Sequence, residues 1–168
     1  KILRQQQPDA LLLLVPRHPE RFAKVAELIV AEGFSFQRRS DFQQGLSAVD
    51  VQVILGDTMG ELLLLLGCAD IAFVGGSFHG RVHNVMEPAA MAKPIVFGPR
   101  IENSYEAGLL KERHAARQVN NAFEMADIFR ELIFSAQLRQ QMGERAKAVI
   151  VENLGASQRS LNHLERFL

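Results

Sequence analysis

The sequence predicts an α/β fold built on a doubly wound, mostly parallel sheet. Apolar strand-like runs alternate with helix-period segments along the chain, and Gly and Pro fall between them as punctuation. Several runs, at residues 51–55, 71–74 and 95–97, are short and continuously apolar, as strands covered on both faces are. Open sheets of this kind bind ligands at the carboxyl ends of their strands. The loops after Val15, Leu55, Val74 and Phe97 are therefore where chemistry is expected.

Taken in order, residues 10–15 form an apolar run ended by Pro16, a first strand. Phe22, Val25, Ala26, Ile29 and Val30 then recur at helical spacing until Gly33. Residues 34–38 read as a weak second strand and 41–47 as polar loop. Residues 51–55 are closed by Gly56 and Asp57. Thr58, with Glu61 three residues on, matches a capping box and leads residues 62–66 into a helix whose leucines are expected in the core. The strand 71–74 ends at Gly75, Gly76 and Ser77, and a helix is expected over 84–93. Pro94 opens the strand 95–97, which Gly98 and Pro99 stop. Residues 104–111 read as helix and 116–119 as strand. Asn121 caps a helix to about Phe134, and residues 136–168 are helical with a break at 153–155.

The 168 residues fit one compact unit, with 48% hydrophobic and 23% charged residues, a composition that can bury a core. Lys plus Arg and Asp plus Glu number 19 each, so no net positive field gathers a polyanion, and nucleic acid is not an expected partner. Cys68 is the single cysteine. That excludes an intrachain disulfide, a thiolate metal cluster and a CxxC motif, and it fits a reducing cytoplasm. The longest apolar run is far short of the roughly 20 residues of a spanning helix. The first residues lack a signal-peptide core and an initiating Met, so the chain reads as a piece of a longer one.

The densest polar cluster is Gly75, Gly76 and Ser77 followed by His83, Asn84 and Glu87, running from a strand end through a loop into a helix. Two glycines let backbone N–H groups approach an anion, and the following helix adds its positive end. Glu87 can accept from two ribose hydroxyls. Alone, the glycine pair also reads as a tight strand-to-helix turn with a surface glutamate. After the first strand, Arg17 can grip a phosphate or a sugar carboxylate bidentately, and His18 stands beside it. The bland reading there is a solvated helix start opened by Pro19. Met59 and Gly60, beside Glu61, can form a flat wall for a pyrimidine, whereas Thr58 is explained by capping. Gly98-Pro99-Arg100 and Asn103 close the set, with Asn103 a helix cap or a neighbour of the donor sugar. His79, His83 and His114 with Asp57 and Glu87 lack the spacing of a helical metal site, and Ser77 lacks the G-x-S-x-G context, so neither a metal nor a serine nucleophile is expected.

Five segments, in order, resemble the signature segments of bacterial Kdo transferases: VPRHPERF (15–22), GDTMGEL (56–62), ADIAFVGGS (69–77), HN-x-x-EP-A (83–89) and KP-x-x-FGP (93–99). The resemblance runs from about Pro8 to the final helix. It implies a GT-B glycosyltransferase of two Rossmann-like domains, with residues 1–168 as the C-terminal donor domain and the N-terminal acceptor domain absent from the chain. The implied donor is CMP-Kdo, with no other cofactor and no metal. Gly75, Gly76 and Ser77 would line the phosphate loop, Glu87 would hold the ribose, and Met59 with Gly60 would sit near the cytosine. Arg17 would approach the phosphate or the Kdo carboxylate, and Asn103 the transferred sugar. The missing domain would bring the catalytic base, the lipid A precursor and contact with the cytoplasmic face of the inner membrane.

The chain departs from that family pattern in three places. The loop Phe78-His79-Gly80-Arg81-Val82 is about one residue shorter, Val85 stands where proline is common, and Arg100 replaces the usual histidine after Pro99. Two other readings share the half-fold: a sugar-nucleotide epimerase of the UDP-N-acetylglucosamine type, and a non-catalytic flavodoxin-like module in which Asp57 would be the phospho-acceptor.

Overall fold

The computed structural model describes residues 9–43 and 51–154. They fall in two compact units, Lys1–Ala69 and Asp70–Leu168, where length alone suggested one. The expected alternation of strand and helix holds through both. The loop residues 44–47 and the final stretch 155–168 lie outside the described residues.

Unit 1 holds β1 (Leu12–Leu14), a 3-10 turn (Pro19–Arg21), α1 (Phe22–Ala31), β2 (Phe36–Arg38), α2 (Arg39–Gln43), β3 (Val53–Leu55) and α3 (Leu62–Cys68). Its strands form a parallel sheet of order β1-β3-β2, with Leu14 and Arg38 both level with Leu55. Ala26 and Ile29, one turn apart on α1, lie on Val53 and Leu55 of the central strand, with Leu14, Val25, Phe34 and Phe36 around them. Gly33 ends α1 in the left-handed region, and the Phe34 N–H reaches back to the Ile29 carbonyl, a Schellman closure.

Two expectations about the elements of unit 1 fail, besides that of the capping box. Residues 39–43 are helix, which takes in the first part of the polar loop expected over 41–47, because the Asp41 carboxylate accepts the Arg38 N–H at 3.0 Å and starts a turn. The leucines of α3 are not all core: Leu65 is buried, but Leu62, Leu63 and Leu64 are 39%, 52% and 58% exposed. A helix buries one stripe, and five consecutive apolar residues cannot all lie on it.

Unit 2 holds β4 (Ala72–Val74), α4 (Met86–Ala90), β5 (Ile95–Phe97), α5 (Tyr105–Glu112), β6 (Ala116–Gln118), α6 (Ala122–Phe134) and α7 (Ala136–Asn153). Its parallel sheet has the order β4-β5-β6. The central strand shows why the run is continuously apolar. Ile95 and Phe97 face a cluster with Ala89, Ala107, Leu110, Ala146 and Val149, while Val96 faces Val119, Leu132 and Met142. All three residues are fully buried, with helices contributing to both faces. At roughly 1.5–3 kcal/mol for each fully buried large apolar side chain, this strand anchors the unit.

α4 is shorter than the helix expected over 84–93. It ends in a Schellman closure in which Ala92 takes φ 52° and the Lys93 N–H reaches the Pro88 carbonyl. α5 ends the same way, with His114 at φ 54° and the Ala115 N–H on the Leu110 carbonyl. Asn121 caps α6 as expected, accepting from the N–H groups of Phe123 and Glu124 at 2.9 Å. Among the described residues no helix is long and apolar enough to cross a membrane.

Candidate functional site

Parallel pairing puts the loops after β1 and β3 at the same edge of the unit 1 sheet, and the Gly56 N–H bonds the Leu14 carbonyl there at 2.9 Å. Arg17 and His18 are exposed on the first of these loops. His18 precedes the 3-10 turn that Pro19 opens, with Nδ1 3.8 Å from the Glu20 carboxylate. Met59 and Gly60 are exposed on the second loop, Met59 at 69%. The capping box does not form. α3 starts at Leu62, and the Thr58 hydroxyl bonds the Glu61 carboxylate instead of a backbone N–H. Glu61 is also held by Arg39, whose Nη2 donates to Oε1 at 2.9 Å.

Beside Glu61, Asp57 is the best-held carboxylate of the unit. Its Oδ1 accepts the Ser40 N–H at 2.9 Å, and its Oδ2 accepts the Ser40 hydroxyl at 2.8 Å and Arg38 Nη1 at 3.3 Å. Burial opposes its charge, but the Ser40 backbone and hydroxyl bonds, the Arg38 guanidinium and its own backbone N–H outweigh that, so it titrates below its ordinary value of 3.8. Both of its oxygens are thus engaged by protein donors. The sequence reading missed Arg38, Arg39 and Ser40, although two adjacent arginines at a strand's carboxyl end were a legible signal.

In unit 2 the loop after β4 folds back on itself. The Gly76 carbonyl accepts the Gly80 N–H at 2.9 Å, and the Gly75 carbonyl accepts the His83 N–H at 3.1 Å. Gly76 has φ 97°, and a Cβ there would fall on the Arg81 carbonyl and 2.8 Å from the His83 ring. Only glycine fits that turn, whose close neighbours are the chain's own Arg81 carbonyl and His83 ring, as in the tight-turn reading of the glycine pair. Ser77 is fully buried: its Oγ accepts the Gly98 N–H at 2.7 Å and its carbonyl accepts the Arg100 N–H at 3.2 Å. Its hydroxyl therefore joins two strand-end loops and does not face a ligand.

Asn103 is not a helix cap. Ser104 caps α5 by accepting the Ala107 N–H, and Asn103 holds both backbone groups of Val82. Asn84 is exposed and accepts the Met86 N–H at 2.9 Å, an Asx turn into α4. Glu87 is half-buried in the first turn of α4, and the His83 side chain is exposed. Because α4 has only 5 residues, backbone amides of the loop and cationic side chains, more than a helix dipole, are what can hold an anion. Gly80, Arg81, Arg100, Glu102 and Asn103 line an open hollow of about 430 Å³ beside this loop. The sequence reading named both Arg81 and Arg100 without a role. Among the described residues no three His, Cys, Asp or Glu side chains gather as a metal site.

Known proteins share this arrangement of sequence. The chain is 43% identical to the 3-deoxy-D-manno-octulosonic acid transferase of Haemophilus influenzae, across 100% of this chain and 40% of that protein. It is 36% identical to the transferase of the same name from Bordetella pertussis, across 98% of this chain and 39% of that one. It thus spans about two fifths of the length of these curated relatives. The crystal structure of the C-terminal CMP-Kdo binding domain of WaaA from Acinetobacter baumannii matches with a TM-score of 0.78 and 31% identity, over 88% of this chain and 77% of that one. No family model matches the chain. By this similarity, which takes in the strand-end loops just described, the chain belongs to the 3-deoxy-D-manno-octulosonic acid (Kdo) transferase family.

Proposed function

We propose that residues 1–168 are the C-terminal donor-binding domain of a Kdo transferase, holding CMP-Kdo while an N-terminal domain presents the lipid A precursor. The observation that carries this reading is the likeness to a CMP-Kdo binding domain over 88% of the chain. The tied loops of unit 2 support it, because a backbone held at Gly75 and Gly76 can meet a phosphate without reorganising. Glu87 holds the ribose hydroxyls, Met59 and Gly60 flank the cytosine, Glu61 braces that loop through Arg39, and Arg17 meets the phosphate.

In the reaction, a base from the acceptor domain deprotonates the acceptor hydroxyl, which attacks the anomeric carbon as the bond to CMP breaks. The donors around the phosphate carry the charge that CMP gains on leaving. The work takes place at the cytoplasmic face of the inner membrane.

Calorimetry with CMP, UDP and ADP tests the assignment. CMP is expected to bind in preference to the others, and Glu87→Ala to weaken it by about 1–3 kcal/mol as its ribose bonds are lost. Preference for UDP, or an unchanged affinity in Glu87→Ala, would overturn it.

A further inference from the structure

Six described arginine side chains are held by protein partners, Arg139 among them through the Leu132 and Ile133 carbonyls, and those of Arg17, Arg21 and Arg145, like Arg81 and Arg100, are not. Arg38, Arg39, Arg113, Arg117 and Arg130 each pair with a carboxylate. Arg81 and Arg100 have no side-chain partner among the described residues, yet both line the same hollow of about 430 Å³, where the one acidic side chain is Glu102. Their backbones are fixed to the Gly76–Ser77 turn. The Arg100 N–H is on the Ser77 carbonyl, and Arg81 sits between Gly80, bonded to Gly76, and Val82, bonded on both sides to Asn103. Two arginines that line one hollow, on backbone held by these bonds and with no carboxylate partner among the described residues, can offer their guanidinium groups to an anionic ligand.

We infer that Arg81 and Arg100 bind the carboxylate of the donor's acidic sugar, with Glu102 accepting from the sugar's hydroxyls. The inference rests on the reading of the chain as a CMP-Kdo domain and goes beyond it in naming the sugar subsite. In an ulosonic acid the carboxylate is bonded to the anomeric carbon, the same atom that carries the phosphate. A site for it must therefore adjoin the phosphate turn, as this hollow adjoins Gly76 and Ser77. The carboxylate then belongs to these two arginines.

Calorimetry of the full chain with CMP and with CMP-Kdo separates the possibilities. The wild type should bind CMP-Kdo more tightly than CMP, Arg81→Gln and Arg100→Gln should each weaken CMP-Kdo about tenfold, and both should leave CMP within about twofold. Arg145→Gln, an exposed arginine of α7, should change neither. Equal losses for CMP and CMP-Kdo would place the arginines on the phosphate and overturn the inference, as would unchanged CMP-Kdo binding or no preference for CMP-Kdo in the wild type. In those cases CMP still binds and the donor-domain reading stands. A wild type that binds neither ligand overturns both.

Discussion

Asn103 grips Val82 with both ends of its amide: Oδ1 accepts the Val82 N–H and Nδ2 donates to the Val82 carbonyl, each at 3.1 Å. One side chain thereby does what a strand partner does, and it fastens the loop after β4 to the loop after β5. Val82 and Val85, 5% and 1% exposed, are pulled into the core by the same closure. Asn103→Ala removes both bonds and leaves two backbone groups to find water. It should lower stability by about 1–3 kcal/mol and raise hydrogen exchange at the Val82 amide well above that of β5. Thermal unfolding and amide exchange check the two parts. Exchange at Val82 that does not change would show that the loop is held without Asn103.

Gly143 and Gly108 predict opposite signs for the same substitution. Both lie in helices, where glycine is less favourable than alanine by about 1 kcal/mol. A Cβ at Gly108 meets nothing within 4 Å, so Gly108→Ala should stabilise by about that amount. At Gly143 a Cβ would overlap the Ala92 carbonyl, with its carbon at 2.8 Å, where the end of α4 is seated on α7. Gly143→Ala should destabilise by about 1–3 kcal/mol, since either α4 or α7 must move. Urea unfolding of the two variants gives the comparison directly.

The parts of this fold that could be read in advance were those set by local rules. β5 announces its double burial in three apolar residues, Gly33 ends α1, and Asn121 caps α6. The end of α4 could not be read, because Ala92 occupies the left-handed position where glycine is the usual signal, whereas α5, closed in the same way by His114, ends within one residue of the expected place. The same division runs through the site. Gly76 is legible because its φ and its close neighbours both demand glycine. Thr58 and Asn103 each carry a cap signature, but side-chain and loop partners take them instead: the Glu61 carboxylate, three residues on, takes the Thr58 hydroxyl, and Val82, 21 residues away, takes the Asn103 amide. Arg81 and Arg100 gain meaning only once two loops are seen to share one hollow.

Asp57 makes the stability of this chain depend on acid in a defined direction. Its side chain is 8% exposed, and its charge is held by Ser40 and Arg38, so its folded pKa lies below its unfolded one. A carboxylate depressed in this way stabilises the fold in full above the unfolded value of about 3.9, and the contribution is lost as pH falls from there through the folded value. Asp57→Asn should therefore cost about 1–2 kcal/mol at pH 7, a modest figure because Arg38 remains 38% exposed to solvent. The gap between wild type and variant should stay constant from pH 7 to about 5 and narrow below about 4 as Asp57 takes up its proton. Urea midpoints measured across that range test the sign. A gap that widens on acidification would mean that Asp57 is protonated more readily in the fold than outside it, and that the bonds from Ser40 and Arg38 do not hold its charge.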